Sequence, residues 1–357
     1  MSQSEPTDFE RVGVDALRQS VESIFAGLGL ASADAAVVAD LLLEADLMGI
    51  STHGVSNYIQ MLYAPGLRKG STRSTADMTV ERELPTMALV DGKGCMGQLV
   101  GKFAMDLAIA KARDTGVGLV AVKGSHHYGA AGVYSKMAIE HDMIGFAVTN
   151  ADPLMVPLHG AESLFGTNPI AVAVPAAEEA PFLLDMATST VPLGRVMLAL
   201  RAGQPLVDGW AVDAEGRATQ DAKAAFDAKR LSPLGSTFDL GGHKGQGLAM
   251  VVDILSGLLS GAGVLQAVSV AEEVGHFFGA VRIDGFRDPE EFKSEMDAYL
   301  RAVRSCPPAP DTEPVIYAGV KEARARRDRM ENGIPLHRDV IVYLRELAGD
   351  VGATATI

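Results

Sequence analysis

Cysteine is scarce in this 357-residue chain. Cys95 and Cys306 are its only two. That excludes a disulfide scaffold or a thiolate zinc cluster and suits a reducing compartment. Basic charge is also short, with 31 Lys and Arg against 45 Asp and Glu and a formal net charge of −14. A basic stripe supplies most nucleic-acid affinity, so neither nucleic acid nor an anionic membrane surface is expected as a partner. The best candidate for a membrane span, residues 248–270, carries Asp253 and Gln266 and has Ser and Gly throughout. It predicts a buried helix and turn instead. The opening MSQSEPTDFERVG has no apolar stretch of leader type, so a cytoplasmic protein is expected. Internal repeats and low-complexity tracts are absent too.

What the chain does have is apolar mass, 48% of its residues, and a length of about two ordinary domains. Leu17, Val21, Ile24, Phe25 and Leu28 fall at helical spacing. Ser32 reads as the cap of a second apolar helix, and residues 51–75 read as polar, with PGLRKGSTRST as a loop. From Thr86 the pattern alternates: strand TMALVDG, helix GQLVGKFAMDLAIAKARDTG, strand VGLVAVKG, helix GVYSKMAIEHD, strand MIGFAVTN. After about Asn150 strands follow one another (IAVAVP, PFLLDMA), which fits a mixed or antiparallel sheet better than a doubly wound one. Residues 240–262 read as a Gly-rich start to a long apolar helix, HFFGAVRIDGF as a strand and 288–304 as an amphipathic helix. The tail from Lys321 reads as helical and strongly charged.

One pattern invites a dinucleotide reading. Residues 92–97, GKGCMG, match G-x-G-x-x-G between a strand and a helix, where backbone N–H groups can hold a pyrophosphate. Against it, Asp91 and Lys93 crowd the turn, the next strand ends in Lys123 rather than an acid, and 91 residues precede it. The plainer reading is a tight strand-to-helix turn.

The histidines carry more. His53 lies in STHGV and His126 and His127 in KGSHHYGA, both loops flanked by glycine. Imidazole titrates near neutrality and can pass a proton to or from an alcohol or carbonyl oxygen, although a lone histidine is more often structural. With no H-E-x-x-H or H-x-H, and with His126 and His127 adjacent, no metal site is expected. Three further segments stand out. Gly166-Thr167-Asn168-Pro169 turns into a strand. Asp185-Met186-Ala187-Thr188-Ser189 follows another. Gly241-Gly242-His243-Lys244-Gly245-Gln246-Gly247 starts a helix and offers an anion site. Each is equally readable as an ordinary turn or cap.

Taken in order, STHGV, HHYGAAGVY, PLHGAESLFGTNPIAVAVP, LLDMATS, GWAVDAEGRATQDA, GGHKGQGLAMVVDILSGLLSGAG and GHFFGAVRID resemble the malate/L-lactate dehydrogenase family with the sulfolactate-dehydrogenase-like fold. The resemblance runs over nearly the whole chain. It implies an α+β, non-Rossmann dinucleotide-binding fold whose mixed sheet is largely antiparallel, flanked by a helical domain built from both chain ends. The implied organisation is a helical segment over residues 1–75, an NAD(P)-binding sheet domain over 76–285 and a helical segment over 286–357 that packs with the first. It further implies a homodimer, a small-molecule substrate and NAD or NADP as cofactor. His53 and His127 match the family's acid/base candidates. Thr52 stands beside the first. Gly166, Thr167, Asn168, Asp185, Met186, Ala187, His243, Lys244 and Gly245 match segments near the dinucleotide.

The departures bear on substrate. Relatives commonly carry Arg four residues after the first histidine, where a guanidinium can grip a carboxylate through two bonds; here it is Asn57. Met61 stands where an aromatic often follows, with Tyr58 and Tyr63 nearby. Arg195 follows Gly194 where Lys is usual, Ala318-Gly319-Val320 replaces P-G-E, and Ala151 replaces Ser. Loss of the Arg implies an amide, an imine, a larger neutral molecule, or a carboxylate held by Arg195 or another basic group. The alternative is a diverged, non-redox member that binds a nucleotide or metabolite without turnover.

Overall fold

The computed structural model describes residues 8–357. The first seven residues, which open the stretch read as lacking a leader and begin the expected helical segment 1–75, lie outside the described residues. β1 (Phe9–Val12) leads into α1 (Val14–Gly27), whose Leu17, Val21, Ile24 and Phe25 are fully buried. α2 (Ser32–Leu47) packs along it. Ser32 is the first helical residue rather than the cap, because Ala31 holds the extended cap position. Residues 65–75, expected as a loop, begin in a helix. Ile59–Tyr63 forms a π-helical turn, and α3 (Ala64–Lys69) follows, with Pro65 in its first turn and Gly70 closing it at φ 75°. Proline is tolerated there because a first-turn N–H has no intrahelical partner.

The middle of the chain builds a seven-stranded sheet. β2 (Thr79–Glu83) and β3 (Met87–Asp91) come first, then α4 (Gly97–Thr115), β4 (Val117–Ser125), α5 (Ala131–Met137), β5 (Met143–Thr149), β6 (Ile170–Val174) and β7 (Phe182–Met186). α6 (Leu193–Arg201), β8 (Ala211–Val212), β9 (Ala218–Thr219) and α7 (Ala222–Ala228) form a small lobe around Val196, Ala211 and Leu231. α8 (Gly242–Val252) continues into a second π-helical turn, Asp253–Leu258, and β10 (Val274–Arg282) returns to the sheet. The strand order is β2-β3-β4-β10-β5-β6-β7. Only β3 and β4 run parallel; the other five pairings are antiparallel. The late strand β10 thus lies at the centre, between β4 and β5.

α9 (Pro289–Arg304), α10 (Val320–Asn332), β11 (Ile334–His337) and α11 (Arg338–Asp350) complete the chain. β11 interrupts the tail that reads as continuously helical: Gly333, at φ 87°, ends α10, and Ile334 to His337 pair antiparallel with β1. The two chain ends share one core, in which Leu17, Ile24 and Leu42 meet Ile334, Leu336 and Leu344. Burying such side chains contributes about 1.5–3 kcal/mol each. α9 belongs to another cluster, with Leu300 beside Tyr317 and Phe182 at the far end of the sheet. Among the described residues no helix is long and apolar enough to cross a membrane.

Candidate active site

His53 and His127 meet. Their rings stack with centroids 5.6 Å apart and planes 20° from parallel. Tyr58 lies against both, 4.0 Å from His127 and 5.4 Å from His53. Tyr63 closes the group, its hydroxyl 2.7 Å from His127 Nδ1. The π-helical turn Ile59–Tyr63 separates these two tyrosines along the chain and directs both at one imidazole. Wider helical turns of this type recur at functional sites. Met61, which stands where an aromatic is expected, is 73% exposed. The aromatic surface comes from Tyr58 and Tyr63 instead.

Each histidine loop is held by specific contacts. Behind His53, Asp46 on α2 is completely buried and accepts the Val55 N–H through Oδ2 at 2.8 Å. Gly54 packs on that carboxyl so closely that a Cβ would fall 2.2 Å from it. Arg329 of α10 donates to the Asp46 carbonyl and to Ser51 Oγ. Thr52 Oγ1 lies 2.9 Å from His53 Nδ1. The His127 loop is gripped by main chain and by one carboxylate. The His127 N–H donates to the Val270 carbonyl at 3.1 Å, and Gly132 N–H donates to Asp185 Oδ2 at 2.8 Å. Beneath it, His276 on β10 is fully buried between Ser125 Oγ, at 2.7 Å, and Thr149 Oγ1, at 2.8 Å, and stacks 4.4 Å from Tyr128. His126 is a brace, with Nε2 3.2 Å from the Gly94 carbonyl.

Burial controls the charge here. It pushes the His53 imidazole down to about 4. His127 is driven well below its ordinary value, first by burial and then by the neighbouring His53 and His276. Both rings are therefore neutral near pH 7. Burial raises the Tyr58 and Tyr63 phenols, so both keep their protons. Asp46 is pushed up to about 7 and Asp185 to about 6, each chiefly by burial.

The G-x-G-x-x-G turn is the tight turn of the plainer reading. Gly92 N–H donates to the Lys123 carbonyl, Lys93 N–H to Asp91, Gly94 N–H to the Gly124 carbonyl and Cys95 N–H to the Gly92 carbonyl. Those donors are already taken. Gly97 starts α4 hard against the second histidine loop: a Cβ there would lie 2.2 Å from the His126 carbonyl oxygen and 2.5 Å from that of His127.

The other predicted residues divide. Asn168 is fully buried at φ 35°, with Nδ2 donating to the Ala249 carbonyl and to Asp253 Oδ1 at 2.9 Å, so it braces the turn against α8. A Cβ on Gly166 would meet the Ala151 carbonyl at 2.4 Å, and the Thr167 carbonyl accepts from Thr188. Asp185, Met186 and Ala187 are half-buried at the end of β7. At the start of α8, His243 and Lys244 are exposed, while Gly245 is buried against the Leu234 backbone. Lys244 makes no ion pair among the described residues. The Gly242 and Lys244 N–H groups already donate to the Thr237 and Gly241 carbonyls and the His243 ring lies 5.0 Å from that of Phe238, so the exposed Lys244 side chain is the group here that fits a pyrophosphate, as a point charge. Asn57 is exposed next to Tyr58. Arg195 is exposed on α6, in the small lobe, and no hydrogen bond or ring contact ties it to the histidine pair.

Known proteins match this chain over nearly its whole length. Residues 12–345 match the family described as malate/L-lactate dehydrogenase. The chain belongs to that family. It is 42% identical over 350 residues to a malate dehydrogenase of Pyrococcus abyssi, with 97% of this chain and 96% of that one covered. It is 35% identical to an L-sulfolactate dehydrogenase of Methanothermobacter thermautotrophicus, with 93% and 94% covered. The structure of malate dehydrogenase from Pyrococcus horikoshii OT3 superposes with a TM-score of 0.90 at 38% identity, over 99% of both chains. As a member of the family the chain is an oxidoreductase of the dehydrogenase class.

Proposed function

We propose that this chain is an NAD(P)-dependent dehydrogenase that interconverts a small 2-hydroxy acid, or a close variant of one, with its carbonyl or imine form. The observation that carries the reading is the stacked His53–His127 pair, two neutral imidazoles at one place. When bound, the nicotinamide supplies or accepts the hydride, and the protein has to orient the reacting carbon and manage one proton. His243, Lys244 and Gly245 at the start of α8, with Asp185, Met186 and Ala187 at the end of β7, are the residues proposed to hold the dinucleotide, in a non-Rossmann arrangement. Thr52 and Asn57 line the substrate side beside His53. Asn57 offers an amide where relatives commonly carry a guanidinium, which favours a substrate other than a simple 2-oxo acid in the usual pose.

The proposed assembly is a cytoplasmic homodimer, with domains 1–75, 76–285 and 286–357. Support for a second copy comes from α8 and the turn after it. Val251, Ile254 and Leu258 are exposed at helical spacing, with Leu259 exposed next to Leu258 in the chain. Large exposed apolar patches of this kind mark association sites. Sedimentation should give a dimer, and Ile254→Asp with Leu258→Asp should give a monomer.

A panel of 2-hydroxy acids with NAD and NADP, followed at the nicotinamide absorbance, tests the activity. Turnover on at least one acid is expected. No turnover on any, with a thermal shift on adding NADH or NADPH, would favour the non-redox reading. High kcat/KM on pyruvate or oxaloacetate, unchanged in Asn57→Ala, would exclude the altered substrate.

A further inference from the structure

The two stacked imidazoles differ in what holds Nδ1. At His53 the partner is the Thr52 hydroxyl, 2.9 Å away, which can donate or accept. At His127 there are two partners. The Tyr63 hydroxyl lies 2.7 Å from Nδ1, and the Gly129 main-chain N–H points at the same nitrogen at 3.4 Å. The second contact is long, but its direction cannot reverse, because an amide N–H only donates. His127 Nδ1 is therefore the acceptor. The Tyr63 O–H donates to it, and the ring proton sits on Nε2. A neutral imidazole that presents N–H is an electrophile for an oxygen, not a base. Only His53 is free to give its Nδ1–H to Thr52 and keep a bare Nε2.

We propose that His127 grips the substrate oxygen through its Nε2–H, that His53 carries the proton through Nε2, and that Tyr63 is the positioning residue whose short hydrogen bond, added to the long one from the Gly129 N–H, holds His127 in this tautomer. This rests on the dehydrogenase reading above. In the oxidation direction the substrate O–H bond breaks and its proton forms a new N–H bond at His53 Nε2. The oxygen's electron pair becomes the second bond of the carbonyl. The hydride from carbon leaves to the oxidised nicotinamide. His53 ends the step as imidazolium and gives its proton to water before the next turnover. His127 neither gains nor loses a proton. The groups facing the two rings are Thr52, Tyr58 and Tyr63 from the 52–63 segment, His276 from β10, and Asp152 toward Tyr58.

Nitrogen NMR of histidine-labelled, full-length protein reads the tautomer without turnover. A pyridine-type Nδ1 and pyrrole-type Nε2 at His127 are expected at pH 7, with the single tautomer lost in Tyr63→Phe. A pyrrole-type Nδ1 at His127 in the wild type overturns the proposal. An enzyme inactive on every substrate would instead fail the dehydrogenase reading and leave the tautomer result standing. The pH profile of alcohol oxidation gives the second readout. His127→Gln keeps an N–H donor, so it should lose only about 5–10-fold in kcat/KM and keep the acidic limb. His53→Gln should lose about 10²–10⁴ and have no limb. A limb that vanishes in His127→Gln and survives in His53→Gln overturns the assignment.

Discussion

The loop carrying His53 is anchored by a buried carboxylate. The loop carrying His127 is anchored mainly by backbone contacts, with one carboxylate, Asp185, beside them. In the first, Asp46 holds the Val55 N–H and Arg329 reaches in from the far end of the chain. In the second, Val270 accepts the His127 N–H, Gly97 presses on two carbonyls and Asp185 takes the Gly132 N–H. Both carboxylates are raised, Asp46 to about 7 and Asp185 to about 6, but in the second half the Val270 bond and the Gly97 contact add a backbone grip that does not titrate. One site is thus assembled from a more rigid half, with a backbone grip beside its carboxylate, and a more titratable half, held by charged side chains. The rigid half carries the histidine assigned to hold the substrate, and the titratable half carries the one assigned to move the proton.

Gly97→Ala should break the rigid half and give the largest effect. A methyl 2.2 Å from the His126 carbonyl oxygen cannot be accommodated by a rotamer change, because both partners are backbone. The loop must shift by a sizeable fraction of an ångström. A displacement near 1 Å at a reacting group costs about 10² in kcat/KM, and overpacking of this kind costs about 3 kcal/mol of stability. Gly349→Ala in α11, where a Cβ meets nothing within 4 Å, is the matched control and should be neutral or slightly stabilising. Wild-type kinetics in Gly97→Ala would show that the second loop is held by something else.

The sequence already shows one member of each half. His53 and His127 stand out because glycines flank them, and apolar runs between turns mark most of the sheet strands, although neither β2 nor the central place of β10 can be read this way. The mixed sheet is legible in the lack of helices between MIGFAVTN, IAVAVP and PFLLDMA. What single residues cannot show is pairing between distant segments. β11 is strand only because β1 lies beside it, and its four residues carry no pattern of their own. Tyr58 and Tyr63 are visible as residues, but their convergence on His127 needs a π-helical turn, and α-helical spacing would put them on different sides. Asp46 sits in an apolar helix as one polar residue among many. Its role appears only when Gly54 is seen packed on it. The reverse also occurs: Asn168 lies in a motif matched to the cofactor segment, and its Nδ2 is spent on α8 and the turn after it.

Asp46→Asn sharpens the comparison from the titratable side. The carboxyl ordinarily titrates near 3.8 and in the folded chain near 7. Between these values the native state holds a proton that the unfolded chain has released. This contribution to stability is complete below about 4 and is lost as pH rises to about 7. The isosteric amide does not titrate and keeps an oxygen for the Val55 N–H. The variant should lose that component of the pH slope and gain about 2 kcal/mol at pH 8 relative to wild type, since only a fraction of the shift survives relaxation around a buried charge. Denaturant unfolding from pH 4 to 8 measures it. Equal slopes in the two proteins would mean that Asp46 is not the titrating anchor.

Thr52→Val probes the same half at its exposed edge and should give the smallest effect. Its hydroxyl is the group that receives the His53 Nδ1–H and so keeps Nε2 bare. Thr52 is exposed and buries little, so thermal stability should not move. A hydrogen bond of this kind contributes about 0.5–1.5 kcal/mol, so kcat for alcohol oxidation should fall by about 2–10-fold. Thr52→Ser, which restores the hydroxyl, should recover most of it. Without an acceptor at Nδ1 the imidazolium formed in the step loses a partner, so the acidic limb of the profile should move to lower pH. If Val, Ser and Thr at this position gave the same kcat and the same limb, the His53 ring would be oriented by Tyr58 and His127 stacking alone, and both loops would be held by packing.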